Sequence, residues 1–161
     1  MTSEQDAPPL DPIPVTVSED EARAVAAALK AFAAALPDDR RADYARLAQD
    51  VAAGTIPADD VDAVERTCRL ALETGHARRL GPDVELLLGS VMHRLPLGRR
   101  YDEQVRTVNK ALETLTGREI RSARVSWRIP GHYECALHVE GFHLTLAFTP
   151  DAVEIRRLEA G

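Results

Sequence analysis

Three of the five histidines fall close together near the C-terminus, at His132, His138 and His143. His138 and His143 stand on either side of Glu140-Gly141, a pair typical of a two-residue hairpin turn, so their rings should be direct cross-strand neighbours. Imidazoles at that spacing can share a transition-metal ion. A third ligand is harder to place, because Glu134 lies about 13 Å from His138 along the strand. Two interpretations stay open for this pair: a metal site, or a solvated polar face of a sheet.

Arginines that alternate onto the same face suggest a second chemistry, the binding of phosphate or RNA. Guanidinium groups match phosphate geometry with two parallel hydrogen bonds. Against an RNA surface, glutamates interleave these arginines, and the aromatic residues that would stack on bases alternate onto the opposite face. Nucleic-acid binding is therefore left open but not favoured. The candidate binding residues of this face are Arg124, Arg128, His132, Glu134, His138, His143 and Arg156.

A further group of basic residues, His76, Arg78 and Arg79, follows the third predicted helix. Cations suit the C-terminal end of a helix, where unpaired carbonyl groups carry partial negative charge. Arg78 and Arg79 are therefore either helix-terminal charges or contacts for an acidic partner or a phosphate.

Sequence signatures of the common enzyme classes are absent. The chain has no GxSxG, no P-loop, no GxGxxG and no HExxH. Cys68 and Cys135 lack the CxxC spacing of metal and redox sites, which favours small apolar core residues. We assign no catalytic residue and expect no cofactor, and the sequence leans away from an enzyme.

The elements that must position these side chains can be predicted from periodicity. Residues 118–158 alternate apolar and polar and are interrupted by Gly or Pro, which predicts four antiparallel strands with one buried face. A three-residue loop Ile129-Pro130-Gly131 and a two-residue turn Glu140-Gly141 set a register that keeps apolar residues opposite one another. The predicted pairs are Trp127–Tyr133, Val125–Cys135, Ala123–Leu137, Val139–Phe142, Leu137–Leu144, Cys135–Leu146 and Tyr133–Phe148, with Val153 and Ile155 beside Phe148 and Leu146.

Helical periodicity dominates before the sheet. Ser18-Glu19-Asp20-Glu21 is a capping box that starts a first helix, and Pro and Gly punctuate the rest. The predicted helices run from Ser18 to about Leu36, from Asp38 or Asp39 to Gly54, from Pro57 to Gly75, from Pro82 to Pro96, and from about Arg100 to Thr116. The fold class is α+β: a disordered proline-rich leader over 1–17, a helical bundle over 18–96, and a helix packed on the four-stranded sheet over 97–161.

Charge is divided unevenly along the chain, whose net charge is −6. Residues 1–75 have a net charge of −8 and residues 76–161 a net charge of +2. An acidic half argues against wrapping nucleic acid with the whole surface. No apolar run approaches the roughly 20 residues that span a bilayer, and the N-terminus is too acidic for a signal peptide, so we expect a cytoplasmic protein without a membrane partner. The scarcity of lysine beside arginine suggests a bacterial source.

These observations predict a non-catalytic protein-interaction or regulatory module, such as an assembly or adaptor subunit. Its partner would be another protein or a second copy of the chain. The alternative is anion, nucleic-acid or metal binding on the polar face of the C-terminal sheet.

Overall fold

A computed structural model describes residues 13–160. Helices occupy the N-terminal part of the described chain and a four-stranded antiparallel sheet the C-terminal part, which confirms the α+β class. The chain divides between Gly98 and Arg99 into two compact units. Each unit has a hydrophobic cluster of its own.

The element bounds are as follows. The helices are α1 (Glu19–Ala34), α2 (Asp38–Ala52), α3 (Val61–Glu73), α4 (His76–Leu80), α5 (Val84–Arg94) and α6 (Pro96–Glu113). The strands are β1 (Val15–Thr16), β2 (Thr55–Ile56), β3 (Ile120–Ile129), β4 (His132–Val139), β5 (Phe142–Thr149) and β6 (Ala152–Ala160).

The core of the helical unit forms around α1, which is rich in alanine. Small side chains let neighbouring helices approach closely, and Val25 and Leu29 of α1 are fully buried between them. Larger side chains of the other elements complete the cluster, because alanine alone buries little apolar area. They include Leu47, Val51, Ile56, Val61, Val64, Cys68, Leu88, Val91 and Leu95.

The start of α1 confirms the predicted capping box. Ser18 N donates to Glu21 Oε2 at 2.8 Å, and Glu21 N donates to Ser18 Oγ at 3.3 Å. Each residue thereby satisfies an amide that would otherwise lack a partner at the helix terminus.

The predicted disordered leader extends too far along the chain. Residues 1–12 lie outside the described part, but Val15 and Val17 are buried in the helical core. Val15–Thr16 pairs with Thr55–Ile56 as a short antiparallel ribbon. Burial of two valines stabilises this extended segment despite the prolines before it.

Two predicted helices also begin at the wrong residue, and one short helix was missed. The third helix begins at Val61 rather than Pro57, because Thr55–Ile56 is extended and a 3₁₀ turn follows it. The helix α4 was not predicted. Pro96 is the first residue of α6, four residues before the predicted start, and does not only end α5. Proline is tolerated at this position because the first residue of a helix does not need its amide for a hydrogen bond within the helix. Gly98 permits this tight junction, since a Cβ there would collide with the carbonyl of Met92.

The sheet has the order β3-β4-β5-β6, with every neighbouring pair antiparallel. All of the cross-strand pairs that the sequence predicted are present in its register. The agreement follows from the side-chain period of two, because a slip by one residue would expose the whole apolar face.

The first hairpin turn differs from the prediction. Ile129 pairs with His132 across Pro130-Gly131, so the loop has two residues, and Gly131 takes a left-handed φ of 81°. A bulge then restores the predicted register at Trp127. Similar bulges occur near the start of β3 and in β6. The extra residue of each of the three bulges is an arginine: Arg121, Arg128 and Arg156.

The helix α6 covers part of the apolar face, as the sequence predicted. Val108 packs with Leu144 and Leu146 of β5, and Leu112 and Leu115 join this cluster. At one end, Val153 N donates to Gln104 Oε1 at 3.3 Å. No helix within residues 13–160 combines the length and the apolar character that crossing a membrane requires.

Candidate functional site

His138 and His143 are direct neighbours on β4 and β5, as the sequence predicted. Nδ1 of His138 contacts Nε2 of His143, and the two ring centroids lie 3.4 Å apart with the ring planes at 68°. The turn at Glu140-Gly141 holds them together, with Gly141 in a left-handed conformation at a φ of 74°. Two ring nitrogens thus converge on one point, where they can share either a proton or a metal ion.

A polar row extends from this pair across all four strands. Ser122 of β3 lies opposite His138, and Glu159 of β6 lies opposite His143. An open surface depression of about 430 Å³ lies over the row. It opens to solvent, so these residues would hold a small ion or a protein group rather than enclose a substrate.

Arginines balance the carboxylates around the histidine pair. Arg157 Nη2 lies 2.7 Å from Glu159 Oε2, and its hydrogen bond and charge lower the pKa of Glu159, with a further contribution from His143. Arg121 lies 4.0 Å from Glu140, and Arg118 donates to the Glu140 carbonyl at 3.2 Å. Both glutamates beside the histidine pair, Glu159 and Glu140, therefore have an arginine as ion-pair partner. No group of three or more His, Cys, Asp or Glu side chains suited to a metal occurs in the described chain.

The structure does not gather the other predicted residues of this face into one site. Glu134 lies opposite Ser126 and Ala147, away from the histidine pair, and His132 lies at the opposite end of β4. Arg124 lies opposite Ala136. Arg128 and Arg156 are the extra residues of bulges, and Arg156 is 3.7 Å from Glu154.

Arg78 and Arg79 belong to the helical unit and lie on α4. Arg78 binds Glu85 through two hydrogen bonds, Nε to Oε2 at 2.7 Å and Nη2 to Oε1 at 2.9 Å. This pairing links α4 to α5 and raises the pKa of Arg78 while it lowers that of Glu85. The contact is internal to its unit, which favours the structural interpretation of Arg78.

Sequence reasoning missed the residues that the bulges move. Arg157 and Glu159 join the polar face because the bulge at Arg156 reverses the alternation beyond it. The signal was present, since Ile155 and Leu158 both belong to the apolar face but are three residues apart rather than two. The same spacing between Ile120 and Ala123 marks the bulge at Arg121.

A second candidate surface lies on the opposite, apolar face of the sheet. Four neighbouring side chains on this face are exposed, although they lie on the same side of the sheet as the core residues. The exposed fraction is 67% for Val125 and Trp127, 48% for Tyr133 and 40% for Phe148. Trp127, Tyr133 and Phe148 lie opposite one another on β3, β4 and β5, which makes them one continuous row. We call Val125, Trp127, Tyr133 and Phe148 the apolar row.

The apolar row borders an open sheet edge. Among the strands of residues 13–160, β3 pairs with β4 alone, and every residue of β3 is exposed. An edge strand presents unpaired amide and carbonyl groups to which another strand can add. The β3 edge and the apolar row together have the features of a site at which a strand of a partner protein adds to the sheet.

Comparisons with known protein families, with curated proteins and with solved structures give no match for this chain.

Proposed function

We propose that this chain is a non-catalytic protein-interaction module, a regulatory or adaptor subunit that docks protein on its C-terminal sheet. The observation that carries the proposal is the exposed apolar row beside the β3 edge, which no strand of the described chain pairs. Soluble proteins seldom leave neighbouring large apolar side chains in water unless a partner covers them. Tryptophan and tyrosine are also the residues that most often dominate binding energy at interfaces.

The ionisable groups support a non-catalytic role. General acids and bases need pKa values near the working pH. The described carboxylates with shifted pKa values, Glu21, Glu85 and Glu159, are all shifted downward by hydrogen bonds and arginine charge. Burial raises the pKa of the Cys68 thiol to about 12, which keeps it protonated and unreactive. Cys68 and Cys135 are free thiols, which suits the reducing cytoplasm as the location we propose.

Trp127→Lys tests the proposed function. A lysine keeps the strand but removes the largest apolar contact, so we expect binding at least about 30-fold weaker, the effect of losing an aromatic hot spot. Sedimentation velocity of the purified protein, with affinity capture from lysate of the source cells, would measure both self-association and partner binding. Leu86→Lys is the matched control, because Leu86 is 76% exposed and belongs to α5 of the helical unit. A wild-type protein that stays monomeric and captures no partner would contradict the proposal.

The contact between the two histidine rings favours a second candidate function, the binding of a transition-metal ion. His138 Nδ1 and His143 Nε2 would supply two ligands, and water or a carboxylate would complete the coordination. Calorimetric titration with Ni²⁺ should show one site per chain. His138→Ala removes a direct ligand, so it should lower the Ni²⁺ affinity by more than the roughly 10–100-fold loss caused by changing an outer-shell residue. His132→Ala serves as the control, and equal affinities in both variants and the wild type would exclude this site.

A further inference from the structure

We infer that the protein docked at the β3 edge is a second copy of this chain, joined by antiparallel pairing of the two β3 strands with Val125 at the two-fold axis. The inference rests on the proposed function and names its partner. Such pairing would join two four-stranded sheets into one continuous sheet, with both apolar rows on the same face. It would satisfy the open backbone groups of β3 and cover exposed apolar side chains in the same contact.

The faces of the strand restrict the register. Apolar residues of β3 must lie opposite apolar residues, as in the rest of this sheet. With Val125 opposite its own counterpart, Ala123 lies opposite Trp127, and the alanine leaves room for the indole ring. Val125 and Trp127 are each 67% exposed in the single chain, so both lose water contact in this arrangement.

Charge selects this register among its neighbours. Moving the two-fold axis to Arg124 would place that arginine opposite itself, and moving it to Ser126 would place Arg124 opposite Arg128. Like charges directly opposite one another destabilise a sheet. With the axis at Val125, Arg124 lies opposite Ser126, and the bulges at Arg121 and Arg128 limit regular pairing to the segment between them.

The same register supplies Arg124 with a carboxylate. Glu134 lies opposite Ser126 on β4 of each chain, so in the dimer it lies two strands from Arg124 of the other copy, roughly 10 Å between backbones. Ser126 is small enough for the long arginine side chain to pass over it. Neither Arg124 nor Glu134 forms an ion pair with another residue of the described chain. The two-fold axis makes two such Arg124–Glu134 contacts.

Charge reversal tests the inference with two variants of the full chain, Arg124→Glu and Glu134→Arg. Each variant alone brings like charges together across the two-fold axis, so we expect its dimer to be at least 10-fold weaker by sedimentation equilibrium. An equimolar mixture restores opposite charges at both contacts and should associate within a few-fold of the wild-type protein. The rescue cannot arise inside one chain, because neither variant has the compensating change. Raised salt should weaken these contacts.

A crosslink tests the position of the axis. Val125→Cys should form an intermolecular disulfide under mild oxidation, since residues opposite in an antiparallel pair have Cα atoms within disulfide range. Leu158→Cys is the matched control, because Leu158 is an exposed apolar residue of the other edge strand. The wild-type protein controls for Cys68 and Cys135.

The outcomes separate this inference from the proposed function. A dimer that shows neither charge rescue nor the Val125→Cys crosslink uses another surface and overturns the inference. A monomer that still captures a different protein in a Trp127-dependent way also overturns it, yet leaves the proposed function standing. A monomer that captures nothing contradicts both.

Discussion

Glu21 has contacts that its place in the capping box does not predict. Its Oε1 accepts a hydrogen bond from Ser90 Oγ at 2.8 Å and lies 2.6 Å from Arg94 Nη2, close enough for charge attraction although not aligned as a hydrogen bond. Burial alone would raise the pKa of Glu21, but the hydrogen bonds from Ser18 and Ser90 and the adjacent Arg94 guanidinium outweigh it and lower the pKa to about 2. Sequence spacing identified the bond with Ser18. The contacts with α5 depend on tertiary packing, which local spacing does not encode.

Glu21→Gln should destabilise the helical unit in a pH-dependent way. The pKa of Glu21 is lower in the folded state than its ordinary value of 4.5, so its ionised form stabilises the fold above that value, and this stabilisation is lost as the pH falls towards 2. The shift corresponds to about 3 kcal/mol at neutral pH. Urea unfolding followed by circular dichroism should show a large difference between wild type and variant at pH 7 and a small one near pH 2.5. Glu19→Gln, an exposed residue of the same turn, should change little, and a difference independent of pH would refute the assignment.

At the scale of elements, the sheet was predictable and its defects were not. The period of two fixed the register from Trp127–Tyr133 to Val153–Phe148, because apolar side chains must share one face. A bulge adds a single residue, and its only trace in the sequence is a three-residue spacing such as Ile155 to Leu158. The helix α4 was not predicted for a different reason: its five residues are too few to contain a full apolar repeat.

The width of the elements explains why the two β3 members of the apolar row, Val125 and Trp127, remain uncovered. One helix is about 10 Å across, whereas four strands span roughly 14 Å between their outer axes. The helix α6 therefore covers Leu144 and Leu146 in β5, but cannot also cover Val125 and Trp127 on the edge strand β3. Alternation in the sequence predicts that Trp127 faces the apolar side, but it does not show how much of that side one helix can reach.

At the scale of the whole molecule, residues 13–160 form two hydrophobic clusters, one in each compact unit. The described core of the helical unit lies between Val15 and Leu95, and that of the sheet unit between Val108 and Ile155. Leu29 is fully buried in the first and Leu144 is only 1% exposed in the second. Stability need not be uniform in such a chain, because each cluster can open by itself.

Leu29→Ala and Leu144→Ala should each weaken only their own unit. Removing a buried leucine side chain costs about 2–5 kcal/mol through lost apolar burial and the cavity left behind. Hydrogen exchange read by mass spectrometry should show faster exchange in α1 and its neighbours for Leu29→Ala, and in β4 and β5 for Leu144→Ala. Leu86→Ala, at a residue 76% exposed, should change neither. If either core substitution speeds exchange equally throughout residues 13–160, the two clusters unfold as one cooperative body.

A dimer through β3 would add protection to the sheet unit as protein concentration rises, because association stabilises the folded state by mass action.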